Sequence, residues 1–533
     1  MNSRMHPISD LPSLDAQARR YVFSAGLVLA DARTQPRKSD VVIQDGEIID
    51  IVPAGAADTA SSVCVDASGL ILMPGMLNAH THSSGNLMRS FSDAWNLEQQ
   101  LNAGPAFRGE QTPREQYLTA LIGAMESVSR GGTACYDVFY EFPLPSGQGI
   151  GQVMQAYRDV GMRSVIAPML SDVSFYRAVP GIFDALPKAV QAQLTSRPAS
   201  GWQSIMAAME SLLRLPFDDQ VKLAIAPTIP AHCSDDFLKA AAQFARANGL
   251  GFHTHLAESK VQAVSGIERY GCSITRHLLR LGILDERFVG AHGVWIDKED
   301  MAILADHGAG VAHNPGANMR LGVGVAAARE MLDAGLHVGI GTDSRVCSDN
   351  LNMFEALRLA SYCSRIHGYD QHSWLNSREA FELATEGSAR LLGYEGRLGR
   401  LAPGYRADIV FLDAANSNYV PLVDLVNQIV NAEDATAVRH VMVDGRMVYV
   451  DRGFPGLDVA AINQEIQAAH ERLRSANAPR VERAKELESY FGDICSGLGS
   501  RAHTINRFIG MCPCADDMHD ASRSTKKRLF GDV

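Results

Sequence analysis

Short runs of alternating apolar and polar residues open the chain. Across residues 20–73, "RYVFSAGLVLADARTQPRKSDVVIQDGEIIDIVPAG" and "CVDASGLILMPG" mix β-branched and aromatic positions with turn residues such as Asp45-Gly46. The same texture returns across 401–455, in "RADIVFLDA" and in "RHVMVDGRMVYVDRGF" with its Asp444-Gly445 turn. Two hairpin-rich flanks around a long middle predict one small domain assembled from both.

Residues 74–400 have another rhythm. Eight compact apolar runs recur with helical stretches between them: "GMLNAHTH", "TACYDVF", "RSVIAPML", "VKLAIAPT", "GFHTHLAE", "FVGAHGVW", "GAGVAHNP" and "HVGIGTDS". Apolar runs alternating with helices imply βαβ units and parallel strands. Eight of them predict a closed barrel whose active site lies at the C-terminal ends of its strands. The fold class expected is therefore α/β: a distorted (β/α)₈ TIM barrel over 74–400, with a small β-sandwich domain built from 20–73 and 401–455. Residues 456–533 are expected to form a helical extension, packed on the barrel or on a neighbouring subunit, followed by a mobile tail.

Composition narrows the function classes. A formal charge of −11 and 46% hydrophobic residues fit an acidic globular protein with a large core. They argue against a nucleic-acid or membrane-surface binder, which would carry a basic patch. No segment reaches the roughly 18 uninterrupted apolar residues of a membrane span. The N-terminus lacks the apolar core of a signal peptide, and nine cysteines are scattered without a framework, so a cytoplasmic location is expected. Cys512 and Cys514 form one close pair in a polar tail. They are read as part of an unstructured terminus, since structural zinc needs four ligands.

Polar residues gather where the predicted strands end. His80 and His82 stand two apart and so share one face of the first strand, as do His253 and His255 on the fifth. Glu258, His292, His313, Asn314 and Asp343 close later runs. A single buried histidine is ordinarily a satisfied core residue. Several at the same end of successive strands, completed by a carboxylate, suit one divalent metal: zinc first, ferrous iron as the alternative.

Six motifs in order then carry a resemblance: "PGMLNAHTH", "HLAES", "AHGVW", "HNPGANMRLG", "GIGTDS" and "GRLAPGYRADIVFLD". Over roughly residues 20–450 the chain resembles the amidohydrolase superfamily, in particular its mononuclear cytosine-deaminase-like and triazine-hydrolase-like aminohydrolases. The resemblance implies His80, His82, His255 and Asp343 as metal ligands. It implies Glu258 as the acid/base, His292 beside the water or substrate, and Asp343 as a second proton carrier. His253 is expected deeper in the barrel and His313 in a structural hydrogen bond. In the binuclear branch a lysine late on the fourth strand bridges two metals; Lys222 lies at the start of that strand, so the mononuclear reading is preferred.

The reaction expected is hydrolytic deamination of a small N-heterocycle by water, with loss of an alkylamine or chloride from a triazine-like ring, or opening of a cyclic amide, as the alternative. A non-catalytic scaffold is disfavoured because it has no use for six costly buried polar groups. Substrate contacts are expected from Trp95, Thr228, His232 and Asn314. Thr228 stands where purine-directed relatives often carry a His or Arg, which weighs against guanine and adenosine-type substrates. A homodimer or higher homo-oligomer is expected.

Overall fold

A computed structural model describes residues 5–11, 20–196 and 201–508. The N-terminal flank contributes β1 (Met5–His6), β2 (Arg20–Val28), β3 (Arg37–Gln44), β4 (Glu47–Pro53), β5 (Val63–Asp66) and β6 (Leu70–Pro74). The middle contributes β7 (Met76–Thr81), β8 (Gly132–Phe139), β9 (Arg163–Leu170), β10 (Val221–Pro227), β11 (Gly251–Leu256), β12 (Phe288–His292), β13 (Gly310–His313) and β14 (His337–Ile340). The C-terminal flank adds β15 (Ile409–Asp413), β16 (Val438–Val443) and β17 (Arg446–Tyr449).

All eight apolar runs become strands, and β7 to β14 pair in chain order, each parallel to its neighbour. This is a TIM barrel. Each strand is buried, as parallel strands covered by helices must be, and β7 is buried at every position. The interior is filled by small side chains, including Ala79, Ala134, Ala167 and Ala224, around Tyr136. Helices follow from local chemistry. Thr112 and Glu115 form a capping box ahead of helix Pro113–Ser129, and left-handed Gly249 ends helix Asp235–Asn248.

The ring closes at the functional end by specific bonds. Asp343 N–H donates to the His80 carbonyl (2.9 Å), and Thr342 N–H donates to Asn78 Oδ1 (3.0 Å). Gly341 makes this approach possible, because a Cβ there would lie 2.9 Å from both the nitrogen and the carbonyl oxygen of His80. The seam of the barrel is thus also where two functional residues meet.

The flanks form a single curled sheet, nine-stranded among the described residues, in which β6 pairs antiparallel with β15. It closes on its own apolar core, with Phe23, Val41, Ile48, Leu72 and Phe411 inside. Buried Arg163, at the start of β9, joins barrel to sheet through Asp408 (3.1 Å). Helix Val459–Glu488 lies on helix Leu97–Arg108, where Asn102 donates to the Ala484 carbonyl (2.8 Å). Helix Gly492–Ser500 places Phe491 and Leu498 against Phe175 and Val261. The extension therefore packs on the barrel of its own chain. Cys512 and Cys514 lie outside the described residues. The seven described cysteines are all free. Among the described residues no helix is long and apolar enough to cross a membrane.

Candidate metal centre and active site

Strand alternation aims His80 and His82 from β7 and its end towards the barrel axis, and β11 aims His253 and His255 the same way. Register then sets depth. His255 is level with Ala291 and Leu256 with His292, so His255 and His292 share the rim while His253 sits one layer below. His80, His82 and His255 each bring a ring nitrogen within 4.8 Å of the others, and His80, His292 and Asp343 form a second such group. Ala257, His292 and Asp343 hold left-handed backbone (φ 44°, 73° and 60°). At this rim three non-glycine residues thus hold a strained backbone, as happens at functional sites.

Hydrogen bonds fix which nitrogen of each ring is bare. His82 Nδ1 and His255 Nδ1 lie 2.6 Å from the carbonyls of Val138 and Thr228. A carbonyl can only accept, so both Nδ1 atoms carry the proton. Both Nε2 atoms are then lone pairs, and they face each other at 3.1 Å. His253 Nδ1 donates to the Val289 carbonyl (3.0 Å), leaving His253 Nε2 to accept from His80 Nδ1–H (3.2 Å). His80 Nε2 is left bare and buried without a partner. His292 Nδ1 donates to Asn318 Oδ1 (2.8 Å), and its Nε2 is also unpartnered. His253 is thus no member of the group; it sets the tautomer of His80.

The four bare nitrogens converge beside Asp343, whose Oδ1 is 3.4 Å from His82 Nε2 and 3.8 Å from His80 Nε2. Burial holds His255 down to about 4 and holds His80, His82 and His292 well below the usual imidazole range. Neutral imidazoles with converging lone pairs repel one another unless a cation lies among them. A nitrogen-rich set with one carboxylate fits a borderline metal such as zinc.

Glu258 stands at the same rim, with Oε1 3.6 Å from His292 Nε2. Burial, with Asp343 and Glu98 adding negative charge, raises its proton affinity well above the carboxylate range. Burial likewise pushes Asp343 up to about 7. The cavity above them has a volume of about 440 Å³, and Thr228 and His232 line it as the sequence suggested. Thr228 is used through its backbone, since its carbonyl accepts from His255.

Trp95 and Asn314 do not reach this cavity. Trp95 packs edge-on against Phe91 (5.2 Å) and Phe107 (6.0 Å), because the loop after β7 turns its ring away from the mouth. Asn314 is buried at the seam, where its Oδ1 fills the space a Gly341 Cβ would need. Sequence reasoning missed Arg108, Tyr140 and Phe175, which line the cavity from helices and loops after the strands. No periodicity marks such positions; only the folded loops assemble them.

The profile of the amidohydrolase family matches residues 71–448. The chain belongs to that family. A 5-methylthioadenosine/S-adenosylhomocysteine deaminase of Desulforamulus reducens is 29% identical over 438 residues, covering 81% of this chain and 94% of that protein. A 5′-deoxyadenosine deaminase of Methanosarcina mazei is 28% identical over 441 residues, covering 82% and 94%. Among solved structures, an adenosine deaminase from Xanthomonas campestris with bound zinc superposes with a TM-score of 0.75 at 23% identity, covering 85% of this chain and 98% of that one. An atrazine chlorohydrolase from Arthrobacter aurescens complexed with zinc gives 0.74 at 25% identity, covering 84% and 100%. This amidohydrolase is therefore a metal-dependent enzyme.

Proposed function

We propose that this amidohydrolase hydrolytically deaminates an amino-substituted N-heterocycle, with zinc as its metal. The observation that carries the reading is the convergence of bare histidine nitrogens, Asp343 and Glu258 on the floor of one cavity. On this reading His80, His82, His255 and Asp343 hold the metal and His292 lies beside the reacting oxygen. When bound, a divalent ion supplies the Lewis acidity that activates water near neutral pH.

The chain's own residues move the protons. Glu258, whose affinity for a proton is raised by burial, takes one from the attacking water and returns it to the ring nitrogen beside the attacked carbon. The C–O bond forms as that nitrogen becomes N–H. His292 Nε2, 3.6 Å from Glu258 Oε1 and 4.0 Å from Asp343 Oδ2, lies between the two carboxylates, where its lone pair can accept an O–H of the attacking water. Asp343 then carries the second proton to the departing amine, the C–N bond breaks, and ammonia leaves.

The curated relatives are named for deamination of adenosine derivatives, and this places adenosine-type substrates first for testing. Thr228 meets His255 through its carbonyl, so the neutral Thr228 side chain does not weigh against them. The test is turnover of zinc-loaded protein on adenosine, 5′-deoxyadenosine, 5′-methylthioadenosine, cytosine and a chloro-aminotriazine, with ammonia, chloride and alkylamine each measured. Ammonia from at least one member is expected. Chloride or alkylamine release with no ammonia would refute deamination in favour of the triazine-type alternative.

A further inference from the structure

One charged group in the cavity has no part in deamination. Arg108, the last residue of helix Leu97–Arg108, lines the cavity together with His82, Glu258 and Asp343. Among the described residues its guanidinium makes no ion pair and no hydrogen bond, and its Nε is buried without an acceptor. It lies over the Tyr140 ring, 4.6 Å from the centroid. Arginines nearby are used differently: Arg345 pairs with Glu126 (2.8 Å) and Arg320 with Asp349 (2.7 Å).

A helix C-terminus and an aromatic face both favour a cation. Neither supplies an in-plane acceptor for a buried N–H, and an unpaired buried donor is costly. Burial also lowers the proton affinity of Arg108. The guanidinium carbon lies over the Tyr140 face, and among the described residues its fork of N–H donors has no acceptor. The cavity, at about 440 Å³, has room for a heterocycle and a substituent.

We propose that Arg108 is a specificity-determining residue that binds a carboxylate on the substrate, so that the amino-heterocycle this enzyme prefers is anionic. The proposal rests on the deamination reading of the same cavity. A carboxylate offers two coplanar acceptors that match the fork. A dianionic phosphate fits worse, because Arg108 is the one Arg or Lys among the described residues lining a cavity that Glu258 and Asp343 also line.

The probes are an isosteric pair, adenosine-5′-carboxylate and adenosine-5′-carboxamide. Their binding is measured by calorimetry to zinc-loaded and to chelator-treated protein, with ammonia release recorded alongside. Wild-type protein should prefer the carboxylate by about 10–100-fold in both states, the worth of a charged hydrogen-bonded pair. Arg108→Gln should reduce the preference to within about threefold, and Arg108→Lys should keep part of it, since charge remains and the fork is lost. Thermal melts of both variants verify folding. Equal affinities in wild type, no binding of either probe, or a preference that survives in Arg108→Gln would each overturn the proposal. Ammonia release without a carboxylate preference removes the role of Arg108 and leaves deamination standing. A carboxylate preference without ammonia release from any substrate does the reverse.

Discussion

The relay from the Val289 carbonyl through His253 to His80 makes His253→Leu an informative perturbation. His253 is fully buried and touches Tyr136 edge-on at 4.5 Å, so Leu fills most of the space while removing the acceptor for His80 and the donor to the Val289 carbonyl. His80 Nδ1–H then has no partner. If the proton stays on Nδ1, the unpaired donor costs about 1–3 kcal/mol of stability. If it moves to Nε2, the lone pair aimed at the metal is lost. Either route lowers metal affinity by about 10–100-fold, the usual effect of removing a residue that orients a ligand, and equivalent to about 1.4–2.8 kcal/mol. His253→Gln retains an amide oxygen that can accept from His80 and should restore most of the loss. Zinc affinity is read by competition with a chromophoric chelator, and stability by urea unfolding of the metal-free protein. Zinc affinity in His253→Leu within twofold of wild type would refute the relay. So would equal losses in the Leu and Gln variants.

Three further outcomes follow from the same geometry. Glu258→Gln should bind zinc normally and lose turnover by about 10²–10⁴-fold; a variant short of metal that recovers on adding zinc would take Glu258 out of the proton path. Apparent zinc affinity should fall about tenfold per pH unit below pH 7, because metal binding must displace one proton from Asp343, pushed up to about 7, while His255, held down to about 4, is already neutral. The sign is that of a ligand protonated at lower pH, and a slope of two or more protons would mean that histidines are charged in the metal-free site. Asp408→Ala takes from Arg163 its one buried counter-ion and should cost about 3–5 kcal/mol, read from the urea midpoint; a change under about 1 kcal/mol would show that the more exposed Asp444 and Asp219 suffice to hold Arg163.

The sequence by itself determined the barrel and the inventory of its rim. Parallel strands must be apolar on both faces, so the eight runs stand out from the helices between them. A histidine pair spaced by two must share one face, and a polar residue ending an apolar run must sit at a strand end. Those rules depend only on neighbours along the chain, which is why both histidine pairs, His292 and Asp343 stand out as rim candidates before any folding, while the resemblance to the amidohydrolases singles out His255 within its pair. Tertiary structure decided the rest. Spacing could not separate His253 from His255, since alternation treats them alike; the parallel register with β12 put one at the rim and the other beneath His80. Nor could it reveal which ring nitrogen is bare, because the carbonyls of Val138, Thr228 and Val289 belong to neighbouring strands. Trp95, Asn314 and Arg108 show the same limit from the loops, whose side chains carry no period. Asn314 was directed by the barrel seam at Gly341, and Trp95 and Arg108 by the packing of helix Leu97–Arg108 against the C-terminal extension, which sets Trp95 against Phe91 and Phe107 and Arg108 into the cavity.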